Sequence, residues 1–126
     1  MRVYWEDTDA GGIVYYANYL RYFERARSDW LRELGFSQQR LREASGEMFV
    51  VSDVSVKYLQ PARLDDEIVI TVVPQEVRGA SMRIAQQAWR GDTLLAEGEV
   101  RIGWIDRASL RPRRIPAAIV EAASLR

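Results

Sequence analysis

The sequence predicts an α+β fold in which one long helix packs across a curved antiparallel sheet of about five strands. Apolar residues recur at three- and four-residue spacing from Tyr19 to Leu34, which is typical of an amphipathic helix. After Gly46 the spacing changes to an alternation of apolar and polar residues, which is typical of strands with one buried face. We therefore expect a helix layer on a sheet layer, within a single domain that covers residues 1–126.

Start and end signals mark the helices. The chain before the long helix is predicted to form a short strand over residues 2–6, followed by a turn rich in aspartate and glycine. Asn18 is placed to cap the start of the long helix, and Gly35 stands where a left-handed C-terminal cap is expected. A second, shorter helix is expected from Ser37 to about Ser45, and a short terminal helix after Pro116.

Four strands are predicted after Gly46, and turn residues bound them: Pro61, Gly79, the pair Gly91-Asp92, and Asp106. The run Ile68 to Val73 is almost entirely apolar and β-branched, which predicts a strand that is buried on both faces. The last strand alternates most regularly, with one apolar face formed by Leu94, Ala96, Gly98, Val100, Ile102 and Trp104. The long helix covers one face of the sheet. A sheet that is buried on both faces needs a partner subunit on the other face, so we expect an oligomer.

Composition excludes several classes of function. Eighteen basic side chains balance eighteen acidic ones, so the net charge does not favour nucleic acid or an anionic membrane as a partner. The chain has no cysteine and no histidine, which excludes a thiolate nucleophile, an imidazole base and an ordinary zinc site. Acid and base chemistry then falls to carboxylates, tyrosines or water, with no metal and no cofactor expected. Charges among the first residues, where a signal peptide is apolar, predict a cytoplasmic protein.

The aspartate- and glycine-rich loop is the best candidate for chemistry. Asp9 stands a few residues before the helix, and Gly11 and Gly12 let the backbone approach a ligand closely. A helix N-terminus offers unpaired N–H groups and the positive end of the helix dipole, which suit an oxyanion that develops on a carbonyl. A carboxylate beside such a site is a minimal apparatus for acyl transfer. The residues alone leave an equal alternative, namely a structural Asx turn.

Residues 4–20, YWEDTDAGGIVYYANYL, followed by FERAR at 23–27, resemble the hotdog-fold acyl-CoA thioesterases. Within that family they most resemble the 4-hydroxybenzoyl-CoA thioesterase class and its branch encoded with the bacterial Tol-Pal envelope system. The stretches YLQPARLDD at 58–66 and RPRRIP at 111–116 resemble the same branch. The resemblance implies a hotdog fold that pairs into homodimers, commonly into homotetramers, with active sites at the dimer interface.

The same resemblance implies roles for two residues. The aspartate of the family's Asp-x-x-Gly-Ile/Val-Val segment is catalytic, and that position falls on Asp9, which acts as nucleophile or as general base on water. The backbone N–H of Tyr16 is then the donor that polarises the thioester carbonyl, a role that any residue other than proline can fill. Many members of the Tol-Pal branch carry histidine at this position. Tyrosine resembles the 4-hydroxybenzoyl-CoA enzyme instead, so the acyl group stays open.

Substrate contacts are predicted around the loop, the helix start and one sheet strand, at Gly12, Val14, Tyr15, Tyr19 and Arg83. The aromatic rings taken alone are more typical of core packing. A cluster of four arginines after the last strand is equally consistent with binding the phosphates of CoA and with a solvated tail: Arg107, Arg111, Arg113 and Arg114.

Two alternatives remain at this stage. A second branch of hotdog thioesterases uses a helix carboxylate as its base, which here is Glu24, although a surface contact with Arg21, Arg27 or Ser28 explains that residue more simply. The chain is also compatible with a non-catalytic acyl-thioester binder or an assembly partner of envelope or phospholipid-synthesis proteins. The intact Asp9 beside two glycines favours the enzyme.

Overall fold

The computed structural model describes residues 1–124. It contains three α-helices: α1 (Asn18–Glu33), α2 (Gln38–Ser45) and α3 (Ala117–Ser124). It contains five strands: β1 (Glu47–Tyr58), β2 (Val69–Ile70), β3 (Val73–Arg78), β4 (Ser81–Arg90) and β5 (Thr93–Asp106). Among these residues no helix combines the length and the apolar character that a membrane crossing requires.

The five strands form one antiparallel sheet. β5 lies between β1 and β4, and the other edge of β4 pairs with both β2 and β3. β1 pairs with β5 over its whole length, from Glu47 opposite Asp106 to Tyr58 opposite Ala96. In the part of the chain that the structure describes, no strand pairs with the outer edge of β1. The predicted α+β fold is therefore confirmed, with β1 as a long edge strand.

Two core clusters hold α1 on the sheet. The first core cluster joins the C-terminal half of α1 to the sheet and α3: Trp30, Leu31, Phe49, Met82, Ile84, Val100, Ile102, Trp104, Ile115, Ile119 and Ala123. The second core cluster joins the N-terminal half of α1 to the segment before α1, the loop after β1 and the adjoining ends of β4 and β5: Val3, Val14, Tyr19, Tyr22, Phe23, Ala62, Ile68, Ala88, Leu95 and Ala96. Each cluster buries the apolar stripe of the helix, as the spacing of its residues predicts.

A polar bridge lies between the two clusters. The guanidinium of Arg27 on α1 donates to Oε1 of Gln86 on β4 at 2.8 Å, and Nε2 of Gln86 donates to the carbonyl oxygen of Phe23 at 3.0 Å. Arg27 and Gln86 are both buried. Because buried polar groups need partners, this bridge fixes the position of α1 along the sheet.

The sequence-based prediction is wrong at four places, one of which is β5, where Leu95 is fully buried although alternation put it on the polar face. Residues 5–7 form a short 3-10 helix rather than the end of a strand, because the Asp7 carboxylate accepts the N–H of Tyr4 at 2.9 Å and closes a turn. Asn18 does not cap α1: Ala17 is the N-cap, and the Asn18 side chain donates instead to the carbonyl oxygen of Asp7 at 2.9 Å.

A further error concerns the run from Ile68 to Val73. It is divided between β2 and β3 and is not buried on both faces, since Val69 and Val73 are exposed in this chain while Ile68 is fully buried. The predicted C-terminal cap is confirmed, because Gly35 has a φ of 99°, in the left-handed region.

Candidate active site

A tight hairpin carries Asp9. Thr8 and Val14 form an antiparallel bridge, the N–H of Asp9 donates to the carbonyl oxygen of Ile13 at 2.9 Å, and the N–H of Gly12 donates to that of Asp9 at 3.0 Å. Gly12 has a φ of 77°, which favours glycine at this position of the turn. The backbone thus presents Asp9 on an exposed turn just before α1.

The two carboxylate oxygens of Asp9 have different surroundings. Oδ1 accepts the N–H of Gly11 at 2.8 Å, which is the contact of an Asx turn. Oδ2 forms no hydrogen bond or ion pair with residues 1–124, and the side chain is exposed. The structural and the chemical interpretation of Asp9 are therefore compatible, since one oxygen builds the turn while the other is accessible. No group of three carboxylates in the described chain is arranged to hold a metal ion.

Free backbone donors lie at the start of α1. The N–H of Tyr15 donates to the carbonyl oxygen of Asp7 at 3.0 Å, and the N–H of Asn18 to that of Tyr15 at 2.9 Å. Between them, the N–H groups of Tyr16 and Ala17 donate to no acceptor within residues 1–124. The first turn of α1 also contains no acidic residue that would compete for these donors. Such a pair can stabilise an oxyanion.

A second loop braces the Asp9 hairpin. The N–H of Val14 donates to the carbonyl oxygen of Ala62 at 2.7 Å, and Ile13 forms a bridge with Arg63. Asp66 holds this second loop, because its Oδ2 accepts the N–H of Arg63 at 2.8 Å and the guanidinium of Arg90 at 2.8 Å. Although partial burial alone would raise the pKa of Asp66, these two hydrogen bonds hold it below its usual value.

Four tyrosines cluster at the junction of α1 and β1. The ring centroid of Tyr16 lies 4.7 Å from that of Tyr15 and 5.8 Å from that of Tyr58. Tyr58 in turn lies 5.5 Å from the buried Tyr19. Burial, with a smaller effect from Tyr16, raises the pKa of Tyr58, so its phenol is neutral near pH 7. Sequence reasoning did not place Tyr58 in the site, although alternation along β1 puts it on the core face with Val54 and Val56.

The structure brings some of the predicted substrate-binding residues together. Gly12 and Tyr15 lie exposed on the segment between Asp9 and α1. Val14 and Tyr19 are buried in the second core cluster, so in the single chain their side chains support this segment from beneath.

Two other candidates make their side-chain contacts with residues outside the Asp9 loop. Arg83 is on the outer face of the sheet, opposite Arg101, and its Nη2 is 3.4 Å from Oε2 of Glu76. Glu24 is exposed, and its Oε1 accepts from the hydroxyl of Ser28 at 3.3 Å, which is one of the surface contacts that the sequence suggested.

The arginine cluster lies at the opposite end of β1 from the tyrosines. The N–H of Arg107 donates to the carbonyl oxygen of Gly46, directly before β1, whereas Tyr58 ends that strand. The twelve residues of β1 span roughly 35–40 Å at about 3.3 Å per residue. Within one chain, these arginines therefore do not reach the Asp9 loop.

Several known proteins that are similar to this chain are named as thioesterases. The pattern of the Thioesterase-like superfamily matches residues 3–123. The chain is 39% identical to the acyl-CoA thioesterase YbgC of Haemophilus influenzae over 97% of this chain and 90% of that protein. It is 45% identical to the acyl-CoA thioester hydrolase YbgC of Escherichia coli O6:H1 over 95% of this chain and 90% of that protein.

A solved structure agrees with these likenesses. The probable thioesterase of Bartonella henselae superimposes with a TM-score of 0.86 at 36% identity, over 92% of this chain and 95% of that one. The predicted hotdog fold is thereby confirmed. The family pattern and the two YbgC relatives each match nearly the whole chain, which therefore belongs to the thioesterase-like superfamily.

Proposed function

We propose that the protein hydrolyses acyl-CoA thioesters to CoA and a free carboxylic acid at the Asp9 loop. One observation carries the proposal: an accessible carboxylate oxygen of Asp9 and the unpaired N–H groups of Tyr16 and Ala17 occur in one short segment. The relatives from Haemophilus influenzae and Escherichia coli, which are named for the hydrolysis of acyl-CoA, support it.

In the proposed reaction, the thioester carbonyl oxygen accepts a hydrogen bond from the N–H of Tyr16. As nucleophile, Asp9 bonds to the carbonyl carbon and the C–S bond breaks. The CoA thiolate takes a proton from a water molecule, and the resulting hydroxide cleaves the mixed anhydride to the free acid and the Asp9 carboxylate. As general base, Asp9 takes a proton from the water that attacks the same carbon; the C–S bond then breaks, and CoA leaves as the thiol with the proton that Asp9 gives back. Mass spectrometry of the protein after an acid-quenched single turnover separates the two roles. The protein gains the mass of the acyl group only if Asp9 is the nucleophile.

The free edge of β1 supports a homodimer. This strand of twelve residues carries half-exposed apolar side chains on its core face, with exposed fractions of 50% for Val51, 46% for Val54 and 44% for Tyr58. A long, apolar, unpaired edge is a template for a further strand. We therefore propose that two copies pair antiparallel through β1, and that the homotetramer implied by the family resemblance joins two such dimers.

Antiparallel pairing would also complete the site. It places the start of the partner's β1 beside the Tyr58 end, which brings Arg107 of the partner subunit and the three arginines that follow it toward the Asp9 loop. Guanidinium groups suit the phosphates of CoA. We propose a smaller contribution of Arg83 to phosphate binding, because its guanidinium is already paired with Glu76. Gly12 and Tyr15 would contact the thioester end of the substrate.

The finer assignments rest on the sequence resemblance. Residues 4–20 and 58–66 support the 4-hydroxybenzoyl-CoA class and the Tol-Pal branch, and with that branch a peripheral link to envelope or phospholipid-synthesis proteins. A cytoplasmic location and the absence of a cofactor stay predictions from composition.

The test is thiol release from acetyl-, hexanoyl-, palmitoyl-, benzoyl- and 4-hydroxybenzoyl-CoA by the native protein and by Asp9→Asn. Asparagine keeps an oxygen for the N–H of Gly11, so the turn should survive. We expect a loss of about a hundredfold or more in kcat. Asp92→Asn, in the exposed turn between β4 and β5, is the matched control and should retain full activity.

Other results would redirect the proposal. Full activity of Asp9→Asn would move the chemistry to another carboxylate, with Glu24→Gln tested next. Saturable binding of every thioester without turnover by the native protein would instead identify a non-catalytic binder.

A further inference from the structure

We infer that Tyr58 determines acyl specificity, because its ring forms the wall of the site that the acyl group meets. The inference rests on the proposed hydrolysis of thioesters and adds to it a residue far from the Asp9 loop in sequence. Tyr58 is the last residue of β1 and stands opposite Ala96, which is fully buried. Its side chain therefore lies on the core face of the sheet.

Contacts connect Tyr58 to the proposed oxyanion donor. Its ring meets that of Tyr16 edge-on, with 5.8 Å between centroids and an angle of 70° between ring planes. On another side it meets the buried Tyr19 at 5.5 Å. Edge contacts of this kind favour one relative orientation of the rings. A carbonyl bound at the N–H of Tyr16 therefore has the Tyr58 ring as a near neighbour.

The remaining part of the Tyr58 ring is open. The residue is 44% exposed, and its hydroxyl forms no hydrogen bond within residues 1–124. Along the same face of β1, the next side chains are Val56 and Val54. An acyl group that extends from the thioester toward β1 thus meets an apolar strip that begins at Tyr58, whereas the CoA phosphates are attracted to arginines.

A purely structural role for Tyr58 makes a different prediction. If the ring only supported Tyr19 and Tyr16, its removal would lower activity on every substrate by a similar factor. If the ring is a wall, its removal changes the ratio between small and large acyl groups, because the added space benefits only the large ones.

The experiment compares kcat and KM for acetyl-, hexanoyl-, palmitoyl- and benzoyl-CoA in the native protein, Tyr58→Ala and Tyr58→Phe. For Tyr58→Ala we divide the kcat/KM of palmitoyl-CoA and that of benzoyl-CoA by the kcat/KM of acetyl-CoA. We expect at least one of these two ratios to rise tenfold or more. Tyr58→Phe keeps the ring and should keep the native ratios within twofold. Val73→Ala is the matched control, since Val73 is 49% exposed but lies on the opposite edge of the sheet.

The outcomes separate this inference from the proposed function. Unchanged ratios in Tyr58→Ala, with turnover that still depends on Asp9, overturn the role of Tyr58 and leave the hydrolase intact. A native protein that turns over no thioester overturns both. Should Tyr58→Ala fail to fold, Tyr58→Trp tests the same wall in the opposite direction, because a larger ring must then reduce turnover of the larger acyl groups selectively; unchanged ratios there also overturn the inference.

Discussion

The two core clusters differ in how their polar atoms are paired. In the first core cluster the indole N–H of Trp104 donates to Oε1 of Glu47 at 3.0 Å, and among the described residues no side chain of this cluster has a buried nitrogen or oxygen without a partner. In the second core cluster the hydroxyls of Tyr19 and Tyr22 are buried without a hydrogen-bond partner in the described chain. The second cluster lies directly beneath the Asp9 loop, so the unpaired groups lie next to the site.

This difference indicates that the two halves of α1 serve different purposes, one stability and the other the site. A buried hydroxyl without a partner costs about 1–3 kcal/mol relative to a satisfied one. Such costs are concentrated at functional sites, where the geometry of a ligand takes precedence over stability. We therefore expect substitutions in the first core cluster to change stability alone, and substitutions in the second to couple stability to activity.

Breaking the first core cluster should have the largest effect. Ile84 on β4 is fully buried, so Ile84→Ala leaves a cavity and should lower the free energy of unfolding by about 3–4 kcal/mol. The kcat of the molecules that remain folded should stay native, because this cluster does not contact the Asp9 loop. Urea denaturation and thioester turnover measure the two quantities. Val69→Ala, at an exposed position, should change stability by less than about 0.5 kcal/mol.

The bridge between the clusters should have the next largest effect. Burial lowers the pKa of Arg27, but not enough to remove its charge near pH 7, and its acceptor is Gln86. Gln86→Leu leaves that charge buried without the acceptor and should cost about 2–3 kcal/mol in the free energy of unfolding. The double variant Arg27→Met with Gln86→Leu should recover most of the loss. Additive losses in the double variant would show that the two side chains do not act as a pair.

Most local features of the molecule were predictable from sequence, and long-range ones were not. The turn at Asp9, the position of α1 and the cap at Gly35 follow from short spacings. The predicted Asn18 cap failed because that side chain donates to the carbonyl oxygen of Asp7, eleven positions away. The Arg27–Gln86 bridge joins residues 59 positions apart, and the place of Tyr58 beside Tyr16 depends on how β1 passes α1. Neither has a signal in a single sequence beyond alternation.

The bulge at Leu95 in β5 is another long-range feature that the sequence did not predict. Alternation along β5 puts Leu94 on the apolar face and Leu95 on the other, yet Leu95 is fully buried. The register shifts there, since Ala88 pairs with Ala96 and Trp89 with Leu94, which leaves Leu95 as an extra residue. A β-bulge of this kind depends on the partner strand and cannot be derived from the strand's own pattern.

Removing the unpaired hydroxyls sharpens the comparison of the two clusters. Tyr22→Phe should raise the free energy of unfolding by about 1 kcal/mol, because the buried phenol makes no hydrogen bond of good geometry in the described chain, although the Asp7 carboxylate lies close to it. Burial, and then the nearby Asp7 carboxylate, raise the pKa of Tyr22, so no charge is lost near pH 7. Tyr16→Phe, at an exposed ring, should change stability by less than about 0.5 kcal/mol. A loss of stability in Tyr22→Phe would show that the hydroxyl is paired in solution.

Removal of the Asp66 carboxylate, which holds the loop that packs against the Asp9 hairpin, should have the smallest effect on stability. The size of this effect should depend on pH. The pKa of Asp66 is below its usual value in the folded chain, so its stabilising contribution is present above the unfolded value near 4 and is lost as the pH falls through the folded value. Because Arg90 is partly exposed, the pair should contribute only about 0.5 kcal/mol at pH 7. Asp66→Asn should therefore be slightly less stable than the native protein at pH 7, and the difference should shrink as the pH falls below about 4. Urea denaturation at pH 7, 5 and 3 measures this convergence, with Asp92→Asn as the exposed control. A gap of constant size at all three values would assign the effect to packing of the loop rather than to the Asp66 carboxylate.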